Sequence, residues 1–561
     1  MISISILHTK SPELTALIAL RSNNGLDGNL FLCIMSRFLN TITVTLSGPK
    51  NPTHEARRQQ TWIQECIQSH SACSWSQDKA PFLPSRLVDV RSYPSLRLIP
   101  AQELSCVDRR FAALSYRWGK FMPEEGMTKT ATVEKRMRGI SLKRLPRTLR
   151  DAIEVTRSLS IPFIWIDALC IVQDDRLDWE NELQSMVQVY SRATVTIAAS
   201  TSDHCNGGFL DPVRHFSWNI VPPSDPKEES KDDSWVAAFF QTPLFGRGWT
   251  LQERELSPRM IYFTPDNVVF ECRQVIRRYD RGTAYQYYWS MPLEYRHIFS
   301  STQDPWRHPC FSAKTNRAMM RVSETSRGMT WYRIWQRIVE EYSRRSFTDP
   351  TDKLPAIAGL ADAFQARFRW EYSGQYLAGL WVENLAFDLL WQRDESRVHP
   401  DMVFNNYIAP SWSWASATFP IAYETPGAGS FAATVLDTQT VLAGTNSKGK
   451  LSAGSLTIST RLKTLDGIPR GASTKDSLLQ KYENEGEDTT WVHWDTKVDL
   501  EDNREGFVCL IFLRTDAGHQ GAGLILRKDE TSDGRYKRVG LASKINRAWI
   551  IDVKPQAVTI V

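Results

Sequence analysis

Short alternating runs of apolar and polar residues open the ordered part of the chain. FLPSRLVDV, LRLIP and FAALSYRWG, between Phe82 and Gly119, each read as a β-strand bounded by polar residues or proline. A polar, basic stretch from Lys120 to Arg150 follows. From Pro146 the period changes: Leu149, Ile153 and Leu159 repeat at helical spacing behind a proline suited to a first turn. Ile161–Ile171 is nearly continuous apolar sequence, the pattern of a strand covered on both faces. Trp179–Tyr190 reads as a helix and Ala193–Ala199 as a strand. Helix, strand, helix, strand in succession predicts an α/β layered domain built on a parallel sheet.

Beyond it, residues 221–234 (VPPSDPKEESKDDS) are rich in proline and charge and read as an exposed insertion, and 245–273 returns to short strands. Trp331–Tyr342 and Leu354–Phe368 carry a helical period. From Ala409 the pattern is β-like, with strands expected at 451–458, 506–512 and 522–527 and a polar loop at 475–505, which suggests a sandwich. The resulting division is an N-terminal extension at 1–55, an α/β domain at 56–280 with its core at 82–275, a helical segment at 281–405 and a β-rich region at 406–561.

Composition narrows the function. Of 561 residues, 42% are hydrophobic and 23% charged, the balance of a globular chain. With 68 basic and 63 acidic residues the net charge is +5, too weak a bias for a dedicated nucleic-acid binder. The nine cysteines follow no dense regular spacing and read as reduced thiols rather than a disulfide framework. The opening MISISILHTK is followed by apolar runs broken by Arg21, Asn23, Asn24 and Asp27, so neither a secretory segment nor a membrane span is expected. A cytoplasmic location is the corresponding expectation.

Four blocks then stand in order: Ala113-Leu114-Ser115-Tyr116-Arg117-Trp118-Gly119; Leu145-Pro146 with its helix; Trp165-Ile166-Asp167-Ala168-Leu169-Cys170-Ile171 with Gln173-Asp174; and Arg247-Gly248-Trp249-Thr250-Leu251-Gln252-Glu253. Together they resemble the fungal heterokaryon-incompatibility (HET) domain over about residues 82–275, with Arg117 standing where the family often has cysteine. Downstream, Tyr342-Ser343-Arg344-Arg345, Asp352-Lys353-Leu354-Pro355-Ala356, Ala378-Gly379-Leu380-Trp381 and Ala409-Pro410-Ser411-Trp412-Ser413-Trp414 resemble the segment that often follows such domains. The resemblance implies a role in non-self recognition and programmed cell death after fusion of unlike fungal cells.

HET domains are in turn similar to Toll/interleukin-1 receptor-type (TIR) domains, so the fold implied is α/β: a parallel-sheet, TIR-like HET domain, then a helical segment and a β-rich C-terminal region. Catalytic TIR domains cleave NAD at the nicotinamide bond. Trp179-Glu180-Asn181-Glu182-Leu183 resembles the segment carrying their glutamate, which makes Glu182 the candidate catalytic residue. Ser115, Tyr116 and Arg117 resemble their Ser-Phe/Tyr-Arg strand end and become candidate substrate-binding residues. NAD enters only as a substrate, with no resident cofactor. At about 100° per residue Glu182 projects between Met186 and Val189 and so faces the protein. A partly desolvated carboxylate there could stabilise an oxocarbenium-like state. Arg117, with the 120–150 stretch, could hold a pyrophosphate. The competing reading is a non-enzymatic adaptor that signals by self-association or through a protein partner. In that case Glu182 is an ion-pair residue, with Arg150, Arg192 or Lys120 as the nearest cations in sequence.

Other groupings read as structural. Asp167, in its apolar run, needs a donor such as a backbone amide. Cys170 with His204 or Asp167 outlines a thiol nucleophile, but a cysteine in an apolar strand is usually a small core residue. Cys66, His70 and Cys73 could share a helix face as zinc ligands, yet no fourth ligand lies nearby in sequence, so no metal is expected. Gly444–Leu451 misses the P-loop pattern at Leu451 and reads as a hairpin turn. Arg247 with Glu253 forms a charged pair at a structural corner, and the tryptophans of 381–414 read as core.

Overall fold

A computed structural model describes, with side chains, residues 56–70, 73, 82–104, 108–210, 242–264, 268–278, 332–366, 374–394, 406–423, 433–444, 446–464, 491–496, 521–531, 534–545 and 552–561. The side chains of the 1–55 extension and the 221–234 insertion lie outside the described residues. The chain divides into two compact units, Met1–His308 and Pro309–Val561.

The first unit runs α1 (Pro52–Ser69), β1 (Arg86–Asp89), β2 (Ser95–Pro100), β3 (Phe111–Ser115), α2 (Val133–Arg138), β4 (Ile140–Ser141), α3 (Arg147–Ser158), β5 (Phe163–Trp165), α4 (Asp167–Cys170), α5 (Arg176–Arg192), β6 (Val195–Ala198), α6 (Trp249–Leu256), β7 (Arg259–Phe263), β8 (Val268–Cys272), β9 (Val275–Asp280) and β10 (Thr283–Tyr288). These ten strands, among others in the unit, form one sheet, ordered β10-β9-β8-β7-β6-β3-β5-β1-β2-β4. The expected parallel sheet is its centre: β7 with β6, β6 with β3 and β3 with β5 pair in parallel. Antiparallel strands extend it on both sides.

The central strands are buried along their whole length, which explains why FAALS and FIW lack polar alternation. Helix α3 buries Leu149, Ala152, Ile153, Val155 and Thr156, the face expected from the period. The Ile161–Ile171 run is not one strand. It breaks after Trp165 because Asp167 Oδ1 accepts the Ala168 amide at 2.7 Å and opens a helical turn.

In the second unit, Arg327–Ser343 and Pro355–Phe368 are helices, as their period predicts. The tryptophans form the core: Trp335, Trp381, Trp391, Trp412 and Trp414 are fully buried. The indole N–H groups of Trp335 and Trp414 both donate to the Gly379 carbonyl, each at 2.9 Å. Gly379 sits at φ +96°, and a Cβ there would meet Trp414 Nε1 at 2.5 Å, so both conformation and space require glycine.

The β-rich region is a small closed barrel, not a sandwich. Leu451–Thr464 pairs Val508–Ile511, which pairs Gln520–Lys528, which pairs Arg535–Asn546. Pro555–Ile560 then bridges Arg535–Asn546 back to Leu451–Thr464. The ring of pairings closes these five strands on one another, with Thr434–Leu442 and Leu479–Glu483 as the end strands of the sheet. The 475–505 stretch, expected as a loop, contributes strands Leu479–Glu483 and Thr489–Trp494. The 444–451 segment is a hairpin turn between Thr434–Leu442 and Leu451–Thr464, as expected, and Lys448 binds Asp362 and Gln365.

Lys353 is buried, its ammonium donating to the Ala417 carbonyl, and burial pushes it down to about 8 from 10.5. Between those values the unfolded chain holds a proton that the folded chain has released, so stability rises with pH across that window. Below it the full penalty applies, about 3 kcal/mol for this shift. Lys353→Met removes that penalty and also the hydrogen bond to Ala417, worth about 1 kcal/mol. Urea titrations should find the variant more stable by about 2 kcal/mol at pH 7 and less stable above the lysine's ordinary pKa. Parallel curves would refute the assignment.

Candidate functional site

The carboxyl ends of the parallel strands, where open α/β sheets bind ligands, carry a dense polar cluster. Ser115, the last residue of β3, is 1% exposed and its hydroxyl donates to Glu253 Oε2 at 2.5 Å. Glu253 comes from α6, seven of whose eight residues are buried, among them Gln252, Glu253, Arg254 and Glu255. Arg247 Nη1 donates to the Tyr116 carbonyl at 2.6 Å, and Tyr190 of α5 donates to the Leu114 carbonyl at 3.1 Å. Trp118 Nε1 reaches Asp167 Oδ2 at 2.9 Å. Gly119 turns the chain away at φ +79°, where a Cβ would overlap the Cβ of His204 at 2.5 Å.

Burial alone would lower the pKa of Arg247, but Glu253, Asp167, Tyr116 and Tyr190 around it outweigh that and hold it above its ordinary value. Burial, with Asp167 adding to it, drives the Tyr116 phenol well above its usual range, so it stays protonated, and its hydroxyl is buried without a hydrogen-bond partner. The expected Arg247–Glu253 pair is therefore electrostatic and is mediated by β3 rather than isolated at a corner. Asp167 takes the structural role expected of it, but its partner is an indole as well as a backbone amide.

Glu182 lies elsewhere on this edge. It faces the protein, as the helical projection predicts, but more completely: it is 1% exposed and shares a buried stripe with Met186, Val189 and Tyr190. Its cation is none of Arg150, Arg192 or Lys120 but Arg86, at 3.7 Å. Arg86 binds Asp178 at 2.5 Å and the Cys170 carbonyl at 2.7 Å, stapling the start of α5 to the end of α4. Burial pushes the Glu182 carboxyl up; the Ser85 hydroxyl and Arg86 pull it down, and Asp178 adds to the rise.

Arg117 is part-buried, and its Nη1 donates to the Pro243 carbonyl at 3.3 Å. Among the described residues no hydrogen bond or ion pair joins Arg117 to Glu182. Of the four residues expected to form a nucleotide site, the structure brings Ser115 and Tyr116 into the buried cluster and gives Arg117 and Glu182 different partners, the Pro243 carbonyl and Arg86. A cleft lined by Asp89, Arg97 and Arg138 opens at the opposite end of the sheet, beside the first residue of β5.

Cys170 is fully buried and pushed up to about 12 by burial, with the Ile166 amide on its sulfur and neither His204 nor Asp167 as a base. It is a core residue. Two features differ from the sequence reading or escape it: Trp249–Leu256, expected among short strands, is the helix α6 with its charges buried, and Cys272 is placed by the fold beside Cys66, His70 and Cys73. Among the described residues no helix is long and apolar enough to cross a membrane.

No curated protein and no solved structure matches the chain. A family model does, described as heterokaryon incompatibility protein (HET), over residues 111–253. The matched segment opens on β3 and ends on Glu253, the two partners of the Ser115–Glu253 hydrogen bond. Residues 111–253, about a quarter of the chain, are therefore a heterokaryon-incompatibility (HET) domain.

Proposed function

We propose that this protein acts in fungal non-self recognition and programmed cell death as a non-enzymatic effector, its HET domain signalling by self-association. The observation that carries this reading is the state of Glu182: a carboxylate 1% exposed on the inward face of α5, beside Arg86, offers no approach to a dinucleotide. Ser115, whose hydroxyl is spent on Glu253, and Tyr116, 1% exposed, support it as well.

The second reading is NAD hydrolysis in a TIR-like manner. It is favoured by one feature: Glu182 Oε2 is buried without a hydrogen-bond partner while the carboxyl is pushed up, a combination that recurs at functional sites.

Incubating the full chain with NAD, dilute and concentrated, while nicotinamide is followed, separates the two. The effector reading expects no release at either concentration, concentration-dependent assembly by light scattering, and cell death on expression that survives Glu182→Gln. Nicotinamide release that Glu182→Gln abolishes, in a variant with unchanged circular dichroism, would overturn it in favour of the enzyme.

A further inference from the structure

Helix α1 and the β8–β9 turn meet at four side chains that sequence spacing could not assemble. Cys66 lies in the last turn of α1, His70 follows directly after its end, one turn on from Cys66, and Cys73 comes three residues later. Cys272, at the end of β8 and separated from His70 by 202 positions, completes the group, and the four ligand atoms all lie within 4.8 Å of one another. Cys272 Sγ is 3.3 Å from His70 Nδ1. Cys66, Cys73 and Cys272 are free thiols and at most 1% exposed.

We propose that these residues form a structural zinc site, with Cys66, Cys73 and Cys272 as thiolate ligands and His70 as the imidazole ligand.

Three features beyond proximity point to a metal. The donor set, three sulfurs and one nitrogen, is one that closed structural zinc sites use, and no position is left for a substrate. A tetrahedron with Zn–S near ~2.3 Å and Zn–N near ~2.0 Å has edges of about 3.5–3.8 Å, so the wider separations, up to 4.8 Å, would close while the 3.3 Å contact of Cys272 with His70 would open slightly. The surroundings suit thiolates. The Gln274 and Val275 amides point at Cys272 Sγ at 3.5 and 3.4 Å, and Arg259 Nη1 lies 3.8 Å from Cys66 Sγ. Three thiolates around Zn²⁺ leave one negative charge, which the buried Arg259 guanidinium offsets.

The site's place in the fold assigns its role. Helix α1 packs Trp62 on Phe270 of β8, ring centroids 6.0 Å apart, and pairs Glu65 with Arg277 of β9. Zinc would clasp this helix to the antiparallel wing of the sheet, outside the matched HET segment.

The full chain, purified under reducing conditions, should contain one equivalent of zinc by elemental analysis, retained through dialysis without chelator. Exchange with cobalt(II) should give a sulfur-to-metal charge-transfer band and intense tetrahedral ligand-field bands. His70→Cys should keep the metal and shift the ligand-field bands to lower energy, and Cys272→Ser should weaken zinc binding by at least about 100-fold. Should the serine variant fail to fold, the cobalt spectra of the parent chain and of His70→Cys still decide. A folded chain with reduced thiols that takes up no cobalt, or takes it up without charge-transfer intensity, would overturn the site.

Discussion

Arg254→Met should destabilise the first unit by about 3–5 kcal/mol, the cost of breaking a buried ion pair from one side. Arg254 is 3% exposed and its Nη2 donates to Glu271 Oε1 at 3.0 Å; Glu271, on β8, is fully buried and also accepts the Tyr262 hydroxyl at 2.5 Å. Glu255 lies 3.7 Å from the same guanidinium, and the Phe245 ring covers it at 5.4 Å. Burial opposes the charge on Arg254, yet Glu271, Tyr262 and Glu255 together hold its pKa well above the ordinary value. Methionine keeps much of the volume and leaves Glu271 facing an apolar wall. Adding Glu271→Leu should restore most of the loss, because an apolar pair of similar size can replace a buried ion pair at little cost. Urea unfolding of parent, singles and double closes the cycle. If the Arg254→Met single loses under about 1 kcal/mol, the network is not what holds α6 to the sheet.

In the second unit Arg538→Met should cost a similar 3–5 kcal/mol, and Arg538→Lys should not rescue it. The Arg538 side chain is fully buried, its guanidinium 3.2 Å above the Trp391 ring. It donates to the Leu389 carbonyl at 2.7 Å, to the Trp391 carbonyl and to Asp495 at 3.2 Å. Burial raises the Asp495 carboxyl and Arg538 pulls it back, so removing the arginine leaves an acid that must take a proton or unfold its surroundings. A lysine has no planar fork to serve two carbonyls and a carboxylate while stacking on an indole. Tryptophan emission during urea unfolding reports the loss; a lysine variant as stable as the parent would contradict the account.

Local pattern carried the fold where burial is uniform along an element. Leu149 and Ile153 announced α3, and the apolar run around Phe163–Trp165 announced a strand covered on both faces, because one periodicity reports one environment. It failed where a single side chain redirects the backbone, as at Asp167. It failed too where a strand is shielded by neighbours distant in sequence, as at Trp491-Val492-His493-Trp494, whose alternation was submerged in a polar stretch. The site divided along the same line. That Glu182 faces inward is a property of one helix and was readable. That Arg86 meets it depends on β1 lying antiparallel to β5, which no local window contains. Cys272 is the extreme case, since only the pairing of β8 with β7 brings it to a helix two hundred positions earlier.

The sheet order bears on how the HET segment behaves when isolated. A polypeptide trimmed to 111–253 would keep β3, β5 and β6 but forfeit β7 from one flank and β1 from the other. Thr196, Ile197 and Ala198 of β6 would then line a bare rim, as would Phe163 and Ile164 on the far side. Such rims template pairing between molecules. Aggregates formed by the trimmed piece would report unsatisfied strands, and should not be mistaken for assembly of the intact protein.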